Sequence, residues 1–248
     1  MQGPRPKLLI PLVMALIAVS MAMPYALWAA EPQREWTVMV YMAADNDLEP
    51  QALLDIEEME QVGTTPSVAV VAMVDRSPQD FEDRVPPARD YPRWDGTRVF
   101  YIVKHPGKGI GSKLLADLGE VNTGDPKTLT SFIRFAAEKF PAKRYMLILW
   151  DHGSTTSAVA IDFSSRDGLT PREVRRAIEA SGVTFEIIGF DACLMASIEN
   201  AYELRNLARY MVASEENIPG PGWPYAYVLS RLAKNPGGPR PRSLLRAL

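Results

Sequence analysis

Residues 185–199 read FEIIGFDACLMASIE. The first six, Phe185-Glu186-Ile187-Ile188-Gly189-Phe190, have the apolar composition of a strand buried on both faces. The period then changes. Leu194, Met195, Ile198, Ala201, Tyr202 and Leu204 recur at three- and four-residue steps, which predicts a helix straight after residue 193. Between the two patterns stands Cys193, the only cysteine in the chain. In open parallel sheets, binding and chemistry gather where a strand ends and a helix begins. Helix-start amides would also favour a thiolate there. The competing reading is a small buried hydrophobe, the usual fate of a free cysteine. A catalytic cysteine needs a base brought to it from elsewhere in the chain.

Outward from this stretch, strand and helix patterns alternate. WTVMVYMAA (36–44), SVAVVAMVD (67–75), RVFYIVK (98–104), YMLILW (145–150), the 158–163 segment and YMVAS (210–214) read as strands. Helices are predicted over 48–61, 126–140, from a cap at Thr170 to Gly182, and over 225–234. Thr170-Pro171-Arg172-Glu173 has capping-box spacing with proline at the first helical position. Asp45-Asn46-Asp47 has loop and N-cap chemistry, with contact to a substrate or cation as the alternative. Residues 76–93 and 215–225 are loops rich in proline, and 118–125 is read as a connection. Alternation of this kind implies an α/β fold with a mostly parallel sheet.

Composition narrows the function. With 248 residues, 47% hydrophobic and 23% charged, the chain suits one globular domain plus extras. A net charge of -3 and the lack of a basic stripe argue against a nucleic-acid partner. Arg5 and Lys7 precede an apolar run from Leu8 to Ala30, in the order of a signal peptide. Residues 1–30 are therefore expected to be a removed signal peptide, with a retained membrane anchor as the alternative, since ~20 apolar residues can span a bilayer. Export follows from either. His105 and Pro106-Gly107-Lys108-Gly109 lack the ending of a phosphate loop and read as an exposed surface loop.

The partner for Cys193 is His152, at the C-terminal end of the most hydrophobic strand. If the two strands are parallel neighbours, both side chains arrive at one edge of the sheet. His152 could then take the thiol proton and later protonate a leaving amine. Gly153 leaves room for a substrate carbonyl, and the N–H groups of Gly153 and Cys193 are natural oxyanion donors. One cysteine and two histidines make a poor metal-ligand set, so no metal is expected.

LILWDHGS (147–154) and IIGFDACLMASIENAYEL (187–204) resemble the two catalytic motifs of the clostripain-like cysteine peptidases. WTVMVYMAADNDLE (36–49), LGEVNTGDPKTLTSFI (118–133) and ASEENIPGPGWPY (213–225) extend the resemblance over about residues 35–230. It implies a three-layer α/β/α sandwich of caspase type, with a peptidase domain over 31–234 and a Pro/Arg-rich tail over 235–248. It implies a His152–Cys193 dyad with the Gly153 and Cys193 backbone as oxyanion hole. It also implies that Asp191 recognises Arg or Lys at P1, with Glu215 and Glu216 beside the substrate; a structural hydrogen bond is the alternative for Asp191. The family usually has an acid where this chain has Pro221, which puts the basic P1 preference in question. Arg166, in a loop between the two motifs, is a candidate processing site. A monomer acting on peptide or protein substrates is expected, without a cofactor; some members use calcium, but the acids Asp45, Asp47, Glu49, Glu215 and Glu216 form no loop-type calcium motif. The rival reading is a catalytically weak or inactive exported module that only binds.

Overall fold

The computed structural model describes residues 33–78, 91 and 93–237. The expected signal peptide at 1–30, most of the 76–93 loop and most of the tail lie outside the described residues. Among the described residues, seven strands form one sheet in the order β10-β9-β5-β1-β2-β3-β4. These are β1 (Arg34–Ala44), β2 (Val68–Arg76), β3 (Gly96–Tyr101), β4 (Lys113–Gly119), β5 (Ala142–Trp150), β9 (Phe185–Asp191) and β10 (Ala208–Val212). The strands from β10 to β2 run parallel. A small sheet joins β6 (Gly153–Ser154), β7 (Ala158–Asp162) and β8 (Asp167–Leu169).

The apolar runs become central strands because both faces of the sheet are covered. Along β1, Val38, Val40 and Met42 point to one face, and Met39, Tyr41 and Ala43 to the other. The first face packs against α1 (Glu49–Val62) and α5 (Tyr225–Lys234) through Leu53, Ile56, Met59, Val228, Leu229 and Leu232. The second packs against α2 (Pro126–Lys139) and α3 (Pro171–Ser181) through Leu129, Phe132, Ile133, Val174 and Ile178. Helices on both sides of a mainly parallel sheet make the expected three-layer α/β/α sandwich.

Local chemistry sets the helix starts. Asp125 accepts from the Lys127 N–H to cap α2, and Thr170 forms the complete capping box with Glu173 at α3. Three details differ from the sequence reading. β3 is antiparallel to β2, and β4 is a further antiparallel strand at the sheet edge. Its half-exposed residues, Leu114 and Leu118 among them, carry little periodic signal. At α1, the acidic trio does not cap: the N-cap position is Leu48, without a side-chain bond.

The third difference lies next to the cysteine. The helix after it, α4, spans only Ile198–Leu204 and is capped by Ser197. Leu194 has φ +62°, a left-handed conformation that interrupts a helix. The Leu194 N–H donates to the Glu216 carbonyl (3.2 Å) and the Ala196 N–H to the Ser214 carbonyl (2.9 Å). Residues 194–196 thus spend their amides on the β10–α5 loop. Ile198 and Tyr202, expected on the buried face, are exposed. Cys193 therefore sits in a loop, four residues before the Ser197 cap, and not on a helix N-terminus.

Candidate active site

The strand register fixes which residues meet. Met42 is level with Trp150, and Trp150 with Asp191, in one row across β1, β5 and β9. His152 and Cys193 each lie two residues beyond that row, on adjacent parallel strands. Both line one cleft of about 440 Å³, together with Leu48, Gly153, Asp191 and Ile218. That volume lies in the range of ligand sites.

Gly153 is where the two strand ends touch. A Cβ there would lie 2.2 Å from the Cys193 carbonyl oxygen and 3.0 Å from the Cys193 nitrogen and from the Ala192 Cβ. Only glycine lets these backbones approach so closely. The Asp151 N–H also donates to the Asp191 carbonyl (3.2 Å), which ties the two strand ends together.

Cys193 is half-buried. Its sulfur accepts from the Ile218 N–H at 3.2 Å. The amide expected from a helix start comes instead from the 214–218 loop. His152 Nε2 lies 2.8 Å from Asp47 Oδ1. A carboxylate on one ring nitrogen fixes the ring's orientation and tautomer. Sequence reasoning left Asp47 among capping residues, because nothing in its spacing reveals a partner 105 positions away.

Asn46 explains how Asp47 reaches the histidine. Its Nδ2 lies 2.9 Å from the Ala43 carbonyl, 2.7 Å from Asp151 Oδ1 and 2.9 Å from the Ile161 carbonyl. Its Oδ1 accepts from the Leu48 N–H. One buried amide thus clamps the end of β1 to the end of β5. Asp151 also accepts from the Ile161 N–H. Burial pushes the Asp151 carboxyl well above the usual range, against the pull of these donors.

Asp191 lines the same cleft. Its Oδ2 accepts from the Trp223 N–H (3.1 Å) and the Tyr225 hydroxyl (3.0 Å). Burial raises its carboxyl to about 6, with those two donors opposing the rise. Asp191 thus makes the expected structural hydrogen bonds and also lines the cleft, while only 4% exposed. Gly222, with φ +65°, brings backbone within contact of both Asp191 oxygens; a Cβ there would lie 2.9 Å from Oδ2. Behind the wall, the Trp150 indole donates to Asp55 (2.7 Å). Burial, then the Asp191 charge, holds the Asp55 carboxyl toward its neutral form.

The remaining sequence candidates lie elsewhere. Glu215, Glu216 and Pro221 are exposed and do not line the cleft; Glu216 contributes its backbone carbonyl to Leu194. Arg166 is exposed in the β7–β8 turn. His105 is half-buried, with Gly107 and Gly111 wrapped against its ring. The group of His, Cys, Asp and Glu that could hold a metal among the described residues is acidic: Asp45, Asp75, Glu120 and Asp162.

The profile of the clostripain family matches residues 40–239, most of this chain and both strand-end motifs. The chain belongs to the clostripain family. It is 30% identical to clostripain of Hathewaya histolytica over 227 positions, covering 81% of this chain and 43% of that protein. Its fold is similar to a secreted C11 cysteine protease of Bacteroides thetaiotaomicron solved with an irreversible peptide inhibitor. There the TM-score is 0.69 and the identity 24%, over 86% of this chain and 57% of that one. An inactive zymogen of a C11 protease from Parabacteroides distasonis gives a TM-score of 0.60 at 24% identity, over 81% and 54% of the two chains. The chain thus spans about half the length of these relatives. The caspase-type sandwich expected of the clostripain family is the fold they share.

Proposed function

We propose that this protein is an exported cysteine endopeptidase. The reading rests on one observation above all: His152 and Cys193, from adjacent parallel strands, line one cleft that also contains Asp191. Family membership supports the same chemistry. His152 takes the proton from the Cys193 thiol, and the thiolate attacks the scissile carbonyl carbon. The Gly153 and Cys193 N–H groups hold the developing oxyanion. His152 returns the proton to the leaving amine, and a water then hydrolyses the thioester. Asp47 is a positioning residue, which keeps the imidazole turned.

Asp191 receives the P1 side chain, and a carboxylate in a cleft wall selects Arg or Lys. Pro221 supplies no second acid between the cleft-lining Gly220 and Gly222, so in this reading Asp191 alone carries the basic preference. The exposed Arg166 turn is a processing site with the same basic P1. The Lys/Arg-flanked apolar run at residues 8–30 supports export.

An irreversible arginyl chloromethyl ketone tests the reading. We expect covalent labelling of the full chain, absent in Cys193→Ala and outcompeted by peptides with Arg at P1. No labelling of folded protein, with no turnover of Arg, Lys or neutral-P1 peptides, would leave only a binding module.

A further inference from the structure

After the loop that carries Cys193, one buried side chain joins the two strand ends a second time. Asn200, in the first turn of α4, is only 1% exposed. Its Nδ2 donates to the Thr155 carbonyl (2.8 Å) and to the Met195 carbonyl (2.8 Å). Thr155 belongs to the β6–β7 turn just beyond Gly153, and Met195 to the loop just beyond Cys193. An amide nitrogen carries two hydrogens, and here each goes to a different loop. The residue's place in the helix sharpens the point. Three positions after an N-cap, a polar side chain ordinarily bonds back to the N-cap backbone. The Asn200 backbone N–H does meet the Ser197 hydroxyl (3.2 Å), but its side chain reaches across to the two loops instead.

Both loops need holding. Thr155 has φ +34° and Leu194 φ +62°, in the left-handed region that is costly for a residue with a Cβ. Such conformations persist only where surrounding bonds over-determine them. Asn200 bonds Thr155 itself and the residue next to Leu194. The Leu194 and Ala196 amides are held from another side by the Glu216 and Ser214 carbonyls. Segments 153–155 and 193–195 therefore have two ties to each other. One is the close approach at Gly153, and the other is the Asn200 bridge.

We propose that Asn200 is a positioning residue for the oxyanion hole: by bridging the Thr155 and Met195 carbonyls it fixes the spacing of the Gly153 and Cys193 N–H groups. The inference rests on the peptidase reading, in which those two amides meet the developing oxyanion. Gly153 lets the two backbones come close, and Asn200 keeps them from drifting apart. Asn200 does not line the cleft, so it acts through the loops and not on the substrate. The oxyanion exists only along the reaction. An error in the spacing of its donors therefore weakens the transition state and leaves binding of the intact peptide unchanged.

Two variants of the full chain test this, with a third as control. Asn200→Asp keeps the size but sets an acceptor oxygen against two carbonyls. Asn200→Ala removes the bridge without that repulsion and keeps a good helix former, which guards against a misfolded Asp variant. Ser197→Ala breaks the cap of the same helix and should lower the melting temperature by ~2–4 °C, yet it leaves both carbonyl bonds in place. Active sites are counted by titration with the arginyl chloromethyl ketone. Both Asn200 variants should lower kcat for an Arg-P1 peptide about 10- to 100-fold, with KM within about threefold of the parent. A peptide aldehyde, which forms an oxyanion when the thiolate adds to it, should bind more weakly by a similar factor. Iodoacetamide, attacked at a saturated carbon, forms no oxyanion and should alkylate Cys193 at an unchanged rate. Ser197→Ala should keep its kcat. A folded Asn200→Ala with kcat within about threefold of the parent overturns the proposal. So does an equal loss in Ser197→Ala, or an iodoacetamide rate that falls as far as kcat. A parent chain with neither turnover nor labelling defeats the peptidase reading and this inference together, whereas an active parent with an equally active Asn200→Ala defeats this inference alone.

Discussion

Replacing Gly153 by alanine tests the geometry of the site most directly. The new Cβ would lie 2.2 Å from the Cys193 carbonyl oxygen, about 1.2 Å closer than ordinary contact at 3.4 Å. The atom it meets is backbone, so no side chain can swing aside. The ends of β5 and β9 must separate by about an ångström, or Cys193 must rotate. A displacement of ~1 Å at reacting groups costs ~10²-fold, equivalent to ~2.7 kcal/mol in the barrier. Overpacking of this kind costs about 1–3 kcal/mol of stability. We therefore expect kcat/KM for an Arg-P1 peptide to fall about 100-fold or more, with a folded, slightly less stable protein. Gly182→Ala is the control. It lies at φ +73° with no atom within 4 Å of a new Cβ, and it costs about 1–2 kcal/mol through conformation alone. Both variants would be compared by melting and by steady-state kinetics. If Gly153→Ala keeps kcat/KM within about threefold of the parent, or if Gly182→Ala loses as much activity, the contact between the strand ends does not set the catalytic geometry.

Asp47→Asn should lower kcat about 10- to 100-fold with KM nearly unchanged. The loss is smaller than the ~10⁴-fold of a fully buried triad aspartate because Asp47 is partly exposed. An unchanged kcat would remove Asp47 from the machinery. Asp191 ionises as pH rises through about 6. The kcat/KM ratio for Arg over citrulline at P1 should therefore climb between about pH 5 and 7, and a flat ratio would exclude Asp191 as the cation's partner. The same raised carboxyl favours the folded state at acid pH, and its contribution fades as pH rises through about 6. Thr170→Ala breaks the capping box and should cost about 1 kcal/mol of stability without altering kinetics. Arg166→Gln should abolish any cleavage in the β7–β8 turn while leaving peptide hydrolysis intact; an unchanged fragment pattern on gels would refute self-processing at that bond.

Much of the site could be read before the structure. The run YMLILW ending at Asp151-His152 and FEIIGF ending at Asp191-Ala192-Cys193 are strands in the structure, and their C-terminal ends are neighbours. Capping at Thr170 also followed from local chemistry, since its partner is three residues away. The region after Cys193 was misread for an equally physical reason. Leu194, Met195 and Ile198 have helical spacing, but amides 194 and 196 bond to the 214–216 segment, and that competition is invisible in periodicity. β4 escaped because an exposed edge strand needs no apolar pattern.

The sequence by itself determined the central strands, most of the helices and the position of His152 and Cys193 at strand ends, because burial pattern and capping are encoded within a few positions. The tertiary structure alone decided what surrounds them. The row Met42–Trp150–Asp191 sets the strand ends that lead to His152 and Cys193 side by side, and both residues line one cleft. Ile218 supplies the amide on the sulfur, and Asp47 turns the imidazole. Asp45, two residues away, faces three acids from distant parts of the chain. These contacts join positions 25 to 117 residues apart, and the parallel strands β1, β2, β5 and β9, by carrying their C-terminal ends to one edge, make them neighbours.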